Sequence, residues 1–151
     1  MHDQDPEYLG YHPGAELVIA IVCPLGTPYS RVVDTLTNYL RQFNYKAKAI
    51  RLSEYFDDLL VQLGVNVESG GESPSDVAAH KIAAGNMIRD KTKKNDIMAL
   101  VAAGAIADFR MEEHKRQGRK QRATRSIPLS NTAFIVTTVR RPEEVTTLRR
   151  I

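Results

Sequence analysis

Apolar and polar positions along this chain fall into blocks of different period, and the periods predict alternating strands and helices. Leu17-Val18-Ile19-Ala20-Ile21-Val22 is an unbroken apolar run rich in β-branched residues, as expected of a strand buried on both faces of a parallel sheet. From Tyr29 to Phe43, Val32, Val33, Leu36, Tyr39, Leu40 and Phe43 recur every three or four residues, which predicts an amphipathic helix. Lys46 to Leu52 alternates polar and apolar positions, as a strand near a sheet edge would. A short helix over Glu54 to Leu63 follows, with Ser53 as its N-cap and Gly64 as its stop.

Residues 64–74 are rich in Gly, Ser and Asn and predict a loop. Helical period returns over Val77–Thr92 and Asp96–Lys115, with Asp96 placed to cap the second helix. Arg116–Ser130 reads as a mobile basic loop, and Thr132–Val139 as a third buried strand. Pro142-Glu143-Glu144-Val145 opens a last helix, with proline in the first turn and acids at the positive end of the dipole. The order β-α-β-α-(α-α)-β-α predicts an α/β fold with a short parallel sheet, rich in helix and covered on both faces. Residues 1–15, with two tyrosine steps punctuated by Pro and Gly, read as an arm.

Composition narrows the class. With 151 residues, 42% of them hydrophobic, and one cysteine, the chain suits one soluble domain without disulfides or a zinc ribbon. No apolar run approaches the roughly 20 residues that span a bilayer, and the acidic start is unlike a signal peptide, so the expectation is a cytoplasmic protein with no membrane partner. None of His2, His12, His80 and His114 is spaced with another His or Cys as metal ligands are, and no metal or other cofactor is expected in this chain. The net charge of +3 hides an asymmetry: from Arg110 onward eleven Lys or Arg face four acids, which points to an anionic partner for that third.

In open α/β sheets the loop between the first strand and its helix is the usual anion cradle. Here it is Cys23-Pro24-Leu25-Gly26-Thr27-Pro28-Tyr29-Ser30. Laid on a phosphate loop, it puts Tyr29 on the lysine and Ser30 on the Mg²⁺-binding hydroxyl, while two prolines remove N–H donors. A weakened phosphate site would use Gly26, Thr27, Tyr29, Ser30 and Arg31, joined by Arg140 and Arg141 after the third strand. Phosphoryl transfer is not expected, since Thr137-Thr138-Val139 stand where a kinase places a carboxylate, and no catalytic residue is assigned.

Several segments together resemble one family: Glu16 through Thr27, Ala49-Ile50-Arg51-Leu52-Ser53, Ala84-Gly85-Asn86-Met87-Ile88-Arg89 with Asp96 and Leu100, and Arg140-Arg141-Pro142-Glu143-Glu144-Val145 with Leu148-Arg149-Arg150. They resemble the N-terminal P-loop kinase-like domain of bacterial anti-phage dCTP deaminases. The resemblance spans residues 16–151 and implies a three-layer kinase-like domain cut short in this chain, followed in the family by a zinc-dependent deaminase domain. It departs from the family at Cys23, which stands where glycine is usual, and Pro28 stiffens the loop. Cys23 is also the one cysteine, so the Cys-x-x-Cys zinc ligands of the deaminase are not here and this polypeptide does not itself deaminate.

Two functions follow as expectations. The first is a nucleotide-binding or regulatory domain of such a deaminase, partnered by a deaminase domain and assembled as a homo-oligomer. The second is an interaction or oligomerisation module. In either, Lys115, Arg116, Arg119, Lys120, Arg122 and Arg125 form a basic lid over phosphates or a contact for RNA or DNA, with no aromatic residue among them for base stacking.

Overall fold

The computed structural model describes residues 14–23, 27–66, 71, 73–118 and 124–150. Three strands, β1 (Leu17–Val22), β2 (Lys46–Arg51) and β3 (Thr132–Val139), form one parallel sheet in the order β1-β3-β2. The last strand in sequence is therefore the central one, and seven of its eight residues are buried. Five helices surround the sheet: α1 (Tyr29–Gln42), α2 (Phe56–Gln62), α3 (Pro74–Thr92), α4 (Ile97–Arg116) and α5 (Pro142–Leu148).

Register divides the sheet into two faces. Val18, Phe134 and Lys48 share one row, and Ala20, Val136 and Ile50 share the next on the same face. On this face Phe134, Val136 and Ile50 join the main core with Ile88 of α3, Met98, Ala102 and Ile106 of α4, and Leu148 of α5. The Phe109 ring meets Phe134 edge to face at 5.6 Å. Leu17, Ala133 and Ala47, then Ile19, Ile135 and Ala49, then Thr137 and Arg51, occupy the other face. The Arg51 guanidinium over the Tyr29 ring places the start of α1 there, as a right-handed β1-α1-β2 crossover requires. No residue of α1 is fully buried, and Val32 and Tyr39 remain exposed on it, as does Phe43 just past its end.

Two predicted caps are replaced. Ser53 does not cap α2: burying Leu52 and Ser53 winds Leu52–Glu54 into a 3-10 turn, and the helix starts at Phe56. Its end follows expectation, with Gly64 at φ 71° and the Val65 and Gly64 amides donating to the Leu60 and Val61 carbonyls. Asp96 precedes α4, yet its carboxylate makes no cap bond and accepts instead from the Thr147 hydroxyl at 2.9 Å, tying α4 to α5.

The expected mobile loop is anchored over 124–130, where Thr124 and Leu129 are buried. Several bonds hold it, among them the Leu129 amide donating to Glu16 at 2.8 Å, the Arg110 guanidinium to the Arg125 carbonyl, and His114 Nε2 to the Ile127 carbonyl at 3.0 Å. Glu16 also receives Arg110, so one nearly buried carboxylate joins the start of β1 to α4 and this loop. No described helix is long and apolar enough to cross a membrane.

Candidate functional site

The carboxyl ends of β1 and β3 lie side by side, and the chain leaves them toward opposite faces: β1 toward α1, β3 toward α5 against α4. Such divergence opens a crevice between neighbouring strands, the position where open parallel sheets take ligands. Thr27, Tyr29, Ser30 and Arg31 stand at the start of α1, after β1, and Arg140 and Arg141 follow β3. Gly26 lies outside the described residues. Pro28 occupies the position before α1 with no side-chain cap bond, while the Tyr29 amide donates to the Thr27 carbonyl at 2.7 Å.

β3 is distorted where it reaches this crevice. Its register with β1 slips between the pairs Ala20–Val136 and Val22–Val139, and Thr138 adopts φ 75°. A β-branched residue in that region costs on the order of 1–3 kcal/mol. The slip turns Val139 into the same core as Phe134 and Val136 and carries Arg140 to the rim. One residue earlier, Thr137 is 3% exposed, and its buried hydroxyl has no hydrogen-bond partner among the described residues. It pairs in register with Arg51, whose guanidinium lies 5.3 Å from the Tyr29 ring centre.

Charge is unevenly satisfied. Arg89, Arg110, Arg116 and Arg125 each pair with a carboxylate, whereas Arg31, Arg41, Arg51, Arg140, Arg141, Arg149 and Arg150 pair with none among the described residues. Of these, Arg31, Arg51, Arg140 and Arg141 lie near the carboxyl ends of the strands, and Arg41 closes the far end of α1. Arg51 and Thr137 escape motif reading because neither belongs to a loop with a recognisable spacing.

The basic segment lies elsewhere. Lys46, first residue of β2, bonds Glu113 at 3.1 Å, and Arg116 bonds the same carboxylate at 2.8 Å, so the end of α4 meets the amino end of the sheet. Arg125 pairs with Asp108 at 2.9 Å, and Lys115 is exposed beside them. Arg116 thus stands with Lys46 at the amino end of the sheet, while Arg125 lies on Asp108 of α4. Arg119, Lys120 and Arg122 lie outside the described residues. A polar cavity of about 430 Å³ at this amino end is lined by Asn44, Lys46, Glu113, His114 and Asn131 among others.

His80 bonds Asp57 at 3.1 Å, with Lys81 on the other oxygen at 3.2 Å, and these two donors hold the Asp57 carboxyl below its ordinary pKa. Among the described residues no group of three His, Cys, Asp or Glu is placed to hold a metal ion. Cys23 is half-buried and unbridged just beyond β1. Searches of protein-family models, curated proteins and solved structures found no match to this chain.

Proposed function

We propose that the domain binds a nucleotide through its phosphates at the carboxyl-end crevice and performs no phosphoryl transfer there. The observation that carries this reading is the group of four arginines, 31, 51, 140 and 141, without acidic partners among the described residues, where the β1 and β3 connections diverge. Unpaired guanidiniums around a concave site raise the local concentration of anions and grip phosphate oxygens in pairs. The buried Thr137 hydroxyl and the Tyr29 ring add a polar contact and a stacking surface beside them. The sequence at this end is unlike that of a kinase: Tyr29 stands at the lysine position of a phosphate loop, and β3 ends in Thr-Thr-Val.

The sequence resemblance makes deoxycytidine nucleotides the first to test, with the domain as the regulatory part of a kinase-like, zinc-dependent deaminase whose catalytic residues lie outside this chain. Calorimetry with dCTP, dCMP, ATP and GTP should show binding that Arg140→Ala/Arg141→Ala abolishes. No heat from any of them at millimolar concentration refutes the reading.

A second reading is assembly through β1. Its six residues carry no charge and Val22 is 60% exposed, whereas the opposite edge strand, β2, carries Lys46, Lys48 and Arg51. Charged edges resist pairing and uncharged ones invite it, so a homo-oligomer would use β1. Ile19→Lys should convert any dimer seen by sedimentation to monomer. RNA or DNA binding through 115–125 would instead appear as a gel shift that salt removes.

A further inference from the structure

We propose that Arg89 and Glu144 are positioning residues for the phosphate crevice, their buried ion pair fixing the Arg140–Arg141 turn and keeping Glu144 from capturing either guanidinium. The inference rests on the phosphate reading above. Glu144 is fully buried and Arg89 is 9% exposed. One carboxylate oxygen accepts from Arg89 Nη2 at 2.6 Å. The other accepts from the Arg140 amide at 2.8 Å and the Arg141 amide at 3.1 Å. A single side chain therefore holds both backbone donors of the turn that presents the crevice arginines.

Arg89 reaches this carboxylate from the last turn of α3. Its Nη1 donates to the Gly85 carbonyl at 3.1 Å, while its buried Nε has no partner. Gly85 makes room for it: a Cβ there would lie 3.4 Å from Arg89 Nη1 and 3.2 Å from the Phe56 ring. An ion pair buried at such cost, with one guanidinium donor left over, contributes less stability than apolar side chains of equal volume would. Its use is geometric. With Arg89 in place the Glu144 charge is neutralised inside the core, and the Arg140 and Arg141 side chains stay outside, unpaired. Remove Arg89, and the free oxygen of Glu144 draws in the guanidinium of a residue whose amide it already holds, because unpaired charge in a low-dielectric site seeks a counterion.

The test is calorimetry with dCTP and with inorganic tripolyphosphate on the full chain and its Arg89→Met, Arg89→Lys and Glu144→Gln variants. It is paired with melting curves and amide hydrogen exchange at Arg140 and Arg141. Arg89→Met and Glu144→Gln should each weaken tripolyphosphate binding by about tenfold, one lost charged hydrogen bond's worth, and speed exchange at the two amides. Arg89→Lys should restore part of both. If Glu144 acts only as a nearby negative charge, Glu144→Gln tightens anion binding, and the proposal falls. Wild-type binding with variants within twofold of it also overturns the proposal and leaves the phosphate reading standing. A wild-type chain that binds neither probe overturns both. Should Arg89→Met fail to fold, the volume-conserving Arg89→Lys and Glu144→Gln proteins decide.

Discussion

Replacing Glu16 tests how the amino end of the molecule is held. Its side chain is 5% exposed and receives the Nε and Nη2 of Arg110, itself 12% exposed, together with the Leu129 amide at 2.8 Å. Glu16→Gln leaves the Arg110 cation buried without a counter-charge, which costs about 3–5 kcal/mol. A domain of this size has about 5–15 kcal/mol in total, so the loss is a large share. At about 2–4 °C per kcal/mol, the midpoint should fall by roughly 6–20 °C in a thermal melt followed by circular dichroism. Glu16→Leu/Arg110→Leu should recover much of that, since an apolar pair of similar bulk needs no counter-charge. A single-variant shift under about 3 °C, or a double variant that loses as much as the two singles together, refutes the account.

Gly85→Ala gains up to about 1 kcal/mol of helix propensity but presses on a Phe56 ring that is 4% exposed and on the pinned Arg89. Overpacking should win by about 1 kcal/mol in urea denaturation. Thr137→Val removes a buried hydroxyl with no hydrogen-bond partner among the described residues, so it should stabilise the fold by about 1 kcal/mol while weakening nucleotide binding in calorimetry. The Lys46 ammonium, and secondarily Arg116, hold Glu113 below the usual glutamate range. A lowered carboxyl pKa gives stability that is fully present above the unfolded value and is lost as pH falls through the folded one. Lys46→Ala should therefore raise the Glu113 titration midpoint measured by carboxyl NMR and move the onset of acid unfolding to higher pH.

Periodic segments were legible without coordinates: β1 and β3 begin and end where their apolar runs predict, α5 begins at its proline, and α1 falls one residue short of its expected end. The failures share one cause. Ser53 and Asp96 look like caps locally, but Leu52 is drawn into the core and Asp96 into a bond with Thr147, 51 residues away. The 124–130 loop reads as mobile because its anchors, Glu16 and His114, are remote in sequence. Of the site, Tyr29, Ser30, Arg31, Arg140 and Arg141 follow from the rule that ligands gather at strand carboxyl ends. The Arg89–Glu144 pair does not, because a sequence does not show which charges will be buried together.

The central position of β3 also governs how the chain can fold. Among the described residues β1 and β2 each pair with β3 and not with each other, so this sheet cannot form until residues 132–139 have been made. At cellular elongation rates the uncharged LVIAIV segment of β1 then waits on the order of ten seconds for its partner. Throughout that interval it is a bare, aggregation-prone strand, and the nascent chain depends on helices or chaperones to shield it. Sheet formation should consequently be a late, slow step dominated by closure of a loop of more than a hundred residues, with truncation anywhere before β3 yielding insoluble helical fragments.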